Sequence, residues 1–176
     1  MSRHGSHTTN EFEMKQMDKR PAREHVEFRC DDLSGQATRD LITHHLRGMH
    51  AHSPACSVHA FDIDKLRDPG VSFWSAWVGR EIAGCGALKQ LGDARGEIKS
   101  MRVADAYLGQ GIGRAILDHV LREAQAMGLK GLWLETGSAE AFLPALRLYE
   151  SAGFVRCGPF DNYTADPFSI FMMRQI

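Results

Sequence analysis

The sequence predicts a layered α/β (α+β) domain in which helices cover a central sheet. Three observations carry this prediction. Short β-branched and aromatic runs bounded by turn residues outnumber the helical segments. Their order is strand, helices, a run of strands, then helix alternating with strand, which suits a sheet with helical layers. The chain has 176 residues, 43% apolar and 24% charged, enough for one buried core. Its net charge of −1 gives no general attraction to nucleic acid or an anionic membrane, and neither is expected as a partner. No apolar stretch approaches the roughly 18–20 residues that span a bilayer.

Residues 1–24 have few large apolar groups and no periodicity, and read as a flexible tail, native or tag-derived. Residues 25–176 read as a single domain. The first strand spans 25–30, where Val26, Phe28 and Cys30 alternate with polar groups. A helix follows over 36–49, with Ala37, Leu41, Ile42 and Leu46 at helical spacing. A short helix is expected near 62–67, ended by Pro69-Gly70. Segments 71–78 and 81–89 flank the Gly79-Arg80 turn as a hairpin.

A further strand covers 97–103. The clearest helix covers 111–127, where Ile112, Ile116 and Val120 adjoin a row of Leu117, Leu121 and Ala124. Asp118 and Arg122 are spaced for a pair on its wet side. Leu132-Trp133-Leu134 marks a buried strand over 129–136. A helix over 142–152 tolerates Pro144 in its first turn and stops at Gly153. Strands near 154–157 and 169–173 complete the chain.

The most informative segment joins the 97–103 strand to the next helix: Leu108-Gly109-Gln110-Gly111-Ile112-Gly113-Arg114. Alternating glycines let a phosphate approach the main chain. The first-turn N–H groups, which lack partners inside the helix, point at it with the positive end of the helix dipole. A tight strand-to-helix turn would use the same glycines. A Walker loop would need Gly-Lys-Ser/Thr, and a Rossmann loop needs a different spacing early in a βαβ unit.

This segment resembles motif A of the GNAT acetyltransferase superfamily, Q/R-x-x-G-x-G/A after a strand of the form "EI..M.V". Glu97-Ile98, Met101, Val103, Gly111 and Gly113 match it; Leu108 stands where Arg or Gln is usual. Ala145-x-x-Leu148-Tyr149-x-x-x-Gly153-Phe154 resembles the end of the family's motif B. Gly158-Pro159-Phe160-Asp161-Asn162-Tyr163 with Asp166-Pro167 is similar to a bacterial subgroup of uncharacterised N-acetyltransferases. The resemblance covers residues 25–176. It implies a mixed sheet of six to seven strands, splayed beside motif A to hold the pantetheine arm of acetyl-coenzyme A.

It further implies an N-acetyltransferase moving an acetyl group to a primary amine of a small molecule or protein. The different-class alternative is a non-catalytic acyl-coenzyme A sensor. The backbone of Gly109, Gln110, Gly111, Ile112, Gly113 and Arg114 would bind the pyrophosphate, and main-chain groups of Met101 and Val103 the pantetheine and oxyanion. Homodimer pairing is frequent in the family, and the four widely spaced cysteines, with no CxxC, read as free thiols of a cytoplasmic protein.

Attack on a thioester needs an amine stripped of its proton, an N–H donor for the oxyanion and an acid near the departing thiolate. Tyr149 is the candidate acid, because the family places a tyrosine there facing the cofactor sulfur. A core tyrosine packed on Phe142 and Ala145 would look the same in sequence. Glu97 is the candidate base, placed by period two on the same strand face as Met101 and Val103. An exposed glutamate paired with Lys99 is the plain alternative, and Glu135 is the competing carboxylate.

Five histidines lie between 44 and 59, but only His50-x-His52 has ligand-like spacing and no HExxH is present. No metal is expected. That region, with 158–168, is expected to shape the acceptor pocket. Trp74 and Trp77 have opposite strand parity, so at most one faces the cleft.

Overall fold

The computed structural model describes residues 25–52 and 62–176. The proposed tail, Cys56 and His59 lie outside them. Strand β1 (Val26–Cys30) leads to helix α1 (Gln36–His52), and the short α2 (Ile63–Leu66) precedes β2 (Val71–Val78), β3 (Glu81–Gly92) and β4 (Arg95–Val103). Helix α3 (Ile112–Ala126), β5 (Gly131–Gly137), α4 (Leu143–Ser151), β6 (Val155–Cys157) and β7 (Ser169–Gln175) follow.

The seven strands form one sheet in the order β1-β2-β3-β4-β5-β7-β6. All neighbours are antiparallel except β4 and β5, the pair connected through α3. That mixed sheet is what the family resemblance implies, at the upper strand number.

Each face carries its own core. Ile112, Ile116, Leu117, Val120, Leu121 and Ala124 of α3 are all buried against Leu88, Ile98, Leu132 and Leu134. This is the double apolar row read from the sequence. On the opposite face Leu41 and Ile42 of α1 pack on Phe73, Cys85 and Ala87. Trp74 belongs to the α3 core, edge-on to His119 at 5.3 Å, whereas Trp77 lies beneath the Arg29 guanidinium. The wet-side pair differs from expectation: Asp118 accepts from Arg114 at 2.8 Å rather than meeting Arg122. Among the described residues no helix is long and apolar enough to cross a membrane. Cys30, Cys85 and Cys157 are free thiols.

Two irregularities shape the centre of the sheet. The β4–β5 ladder runs from Arg95↔Gly131 to Ile98↔Leu134 and then stops, so the remaining length of β4 has no strand on that side. Within this length the β3–β4 register passes from Ala87↔Lys99 to Cys85↔Arg102. Two residues of β4, Ser100 and Met101, therefore oppose one of β3, a β-bulge. Ser100 takes φ 52°, an unusual conformation for a residue with a Cβ.

Candidate active site

The glycine turn stands at the head of α3, next to the end of β4. Gly109 and Gly111 have φ of 74° and 84°, and Gly111 is the N-cap residue. A side chain would strain either position. A Cβ at either one would meet nothing within 4 Å, so the space in front of both is open. Gly113 is different: its Cβ would press on Leu148 and Val103, so its absence serves helix packing. The first bond of the helix runs from Ala115 N–H to Gly111 C=O at 3.1 Å, so the first-turn amides ahead of it lack helical partners. Ile112 is buried and offers the turn only its main chain, while the Arg114 side chain is engaged with Asp118. Gln110 donates to Ala106 C=O at 2.8 Å, tying down the loop. Leu108 is 59% exposed, and its apolar side chain contributes no polar group to the turn. The open turn and its amides fit a pyrophosphate.

Met101 and Val103 lie on the part of β4 past the end of the β5 ladder, with their side chains in the α3 core. Tyr149, on α4, is 7% exposed and donates its hydroxyl to Met101 Sδ at 3.7 Å. Its ring meets Phe154 at 5.9 Å, and the Phe142 ring covers Gly137. Burial, with Glu135 adding to it, pushes the phenol well above its ordinary value. The hydroxyl therefore stays protonated, and it matches a thiolate less closely than a free phenol would.

Glu97 departs from the sequence reading in two respects. The bulge at Ser100 breaks the period of two, so Glu97 and Lys99 face away from α3 while Met101 and Val103 face toward it. The pairing with Lys99 that the sequence offered as the plain alternative is present, but Glu97 is only 1% exposed and the pair is buried. Its Oε1 accepts from Lys99 Nζ at 2.8 Å and from Tyr163 Oη at 2.6 Å, and Lys99 also donates to the Tyr163 oxygen at 2.7 Å. Glu135 accepts from Ser169 Oγ at 2.7 Å. Its charge reaches both Tyr149 and Tyr163, so it belongs to the same polar centre.

The sequence reading missed Tyr163 as a site residue, although its motif was visible. Also missed was the chain His44–Asp105–Arg102, with contacts of 3.1 and 2.6 Å, which ties α1 to the segment after β4. His45 beside it is pushed down to about 4 by burial, with Arg102 and His44 adding to the shift. Among the described residues no group of His, Cys, Asp or Glu could hold a metal ion.

Comparison with known proteins identifies the family. The model of the Acetyltransferase (GNAT) family matches residues 38–154. The uncharacterised N-acetyltransferase YsnE of Bacillus subtilis is 46% identical over 86% of this chain and 100% of its own length. The uncharacterised N-acetyltransferase YedL of Escherichia coli is 46% identical over 82% of this chain and 91% of its own. The crystal structure of a Bacillus subtilis acetyltransferase in complex with CoA superposes with a TM-score of 0.62 at 16% identity, covering 86% of this chain and 99% of that one, a likeness of fold. With the glycine turn, the interrupted β4–β5 ladder and both motifs in place, the chain belongs to the GNAT acetyltransferase family and is an N-acetyltransferase.

Proposed function

We propose that the protein transfers the acetyl group of acetyl-coenzyme A to a primary amine of a small molecule or protein. The observation that carries this reading is the open, positive-φ glycine turn beside the unpaired length of β4. The likeness to a fold solved with CoA supports the same donor.

Acetyl-coenzyme A supplies the activated thioester. First-turn amides from Gly109 to Arg114 hold its pyrophosphate, and main-chain groups of Met101 and Val103 hold the pantetheine and the developing oxyanion. Glu97 takes the ammonium proton from the face opposite α3, directly or through water. Tyr149 donates a hydrogen bond to the departing sulfur, and its protonated state at neutral pH suits that role.

The test is a thermal-shift titration with acetyl-coenzyme A followed by an amine-panel screen that reads thiol release. Stabilisation with turnover on at least one amine supports the proposal. Stabilisation without turnover across the panel points instead to an acyl-coenzyme A sensor, and no stabilisation removes the donor assignment.

A further inference from the structure

The segment Gly158-Pro159-Phe160-Asp161-Asn162-Tyr163, with Asp166-Pro167, has so far carried only a resemblance. In the structure it forms a braced loop between β6 and β7. Phe160 is buried and meets Trp133 at 6.5 Å, Phe171 at 6.0 Å and Tyr163 at 5.0 Å. Tyr163 meets Phe171 at 5.4 Å, and its N–H donates to Phe160 C=O at 3.0 Å. Asp161 accepts from Lys89 of β3 at 3.4 Å. At the far end, Asp166 Oδ1 accepts from Phe168 N–H at 2.8 Å, and Ser138 donates to Pro167 C=O at 2.9 Å. The loop is held on both sides, and the Tyr163 hydroxyl donates to Glu97 Oε1 at 2.6 Å.

We propose that Tyr163 is a positioning residue for acetyl transfer, orienting the Glu97 carboxylate and favouring its charged form. The inference rests on the reading of Glu97 as the base. Among the described residues, the charged and titratable groups around this point are Lys99 on β4, Glu135 on β5, Asp161 on the loop and Lys89 paired to it from β3. Burial, then the neighbouring Glu97 carboxylate, pushes the Tyr163 phenol upward, so it is a permanent donor there. A hydrogen bond donated to a carboxylate favours its ionised form. Lys99, donating to both partners, locks the three side chains into a ring. Without the hydroxyl, Glu97 would keep the ammonium but lose one of its two donors.

The experiment follows the Glu97 carboxyl carbon by NMR in full-length protein labelled with 13Cδ-glutamate, the resonance being assigned by its absence in Glu97→Gln. Tyr163→Phe keeps the ring between Phe160 and Phe171 and, by removing the hydrogen bond donated to the carboxylate, should move the Glu97 titration upward. Replacing Tyr163 by 3-fluorotyrosine, a stronger donor that keeps the hydroxyl, should move it down. This second variant also tests the idea if Tyr163→Phe does not fold. An unmoved titration in the folded variants overturns the inference. The base reading fails separately: if Glu97→Gln keeps the acid limb of kcat/KM with acetyl-coenzyme A and the best amine of the panel, Glu97 is not the base and Tyr163 positions an idle carboxylate.

Discussion

Tyr149 Oη lies 3.7 Å from Met101 Sδ, a contact between α4 and the length of β4 that β5 leaves unpaired. A thioether is a weak acceptor, so this hydroxyl holds its proton beside the cleft with little competition for it. Tyr149→Phe should lower kcat by roughly ten- to a thousandfold while leaving the acetyl-coenzyme A Kd within a few fold. The melting temperature should change little, since the ring contact with Phe154 survives. A thioester with a more acidic leaving thiol should recover part of the rate. Unchanged kcat with acetyl-coenzyme A would make Tyr149 a core residue only.

Glu97→Gln should lower kcat/KM by roughly 100- to 10,000-fold and remove its rising acid limb. The same change takes a counter-charge from buried Lys99, and stability should fall by about 3–5 kcal/mol in urea unfolding. Adding Lys99→Met should restore much of that stability without restoring activity. A double variant that regained turnover would transfer the base role to Glu135 or to water.

Gly111→Val confounds two effects, because φ of 84° strains any β-branched residue before a ligand is considered. Gly111→Asn separates them, since Asn tolerates this conformation and still places a side chain in the open space of the turn. The variant should fold with a small loss of stability, yet bind acetyl-coenzyme A at least about tenfold more weakly. Wild-type affinity in calorimetry would move the pyrophosphate away from this turn.

Stability should fall as the solution is acidified from near pH 6.5 toward pH 4. His45 is held down to about 4 when folded and returns to its ordinary value when unfolded, so across that window the unfolded chain binds the extra proton. The loss is about 1.4 kcal/mol per pH unit while one such group is in its window. His119, lowered by burial beneath Phe28, adds to it with the same sign. His45→Gln should flatten the slope between pH 6 and 5 in urea titrations. An unchanged slope would locate the acid sensitivity elsewhere.

Much of this molecule was legible from local pattern. The 71–78 strand has the bounds read from its aromatic and β-branched run, and α3 buries each of the six residues assigned to its apolar rows. The glycine turn was legible because its spacing is chemically restrictive. The face of Glu97 was not. Period-two reasoning holds only in an unbroken strand, and nothing about Ser100 announces a positive φ. Tyr163 was also out of reach, because its partner lies 66 residues earlier and the two meet only through the folded sheet. Local periodicity reports which face a segment buries; it does not report which loop returns to cover that face.

The four-residue ladder between β4 and β5 also governs how the molecule breathes. On one side lies a meander of four strands, on the other a compact three-stranded unit, each paired antiparallel throughout. The short parallel seam, the packing of α3 and α4, and the side-chain contacts of the β6–β7 loop with Lys89, Glu97 and Lys99 hold the two together across the middle. Opening there breaks few backbone bonds, so amides along the seam should exchange with solvent sooner than those inside either half. A ligand lodged in the fork would bridge the halves and slow that exchange. Its binding would then register as stiffness at the centre of the sheet, some distance from the phosphate-holding turn.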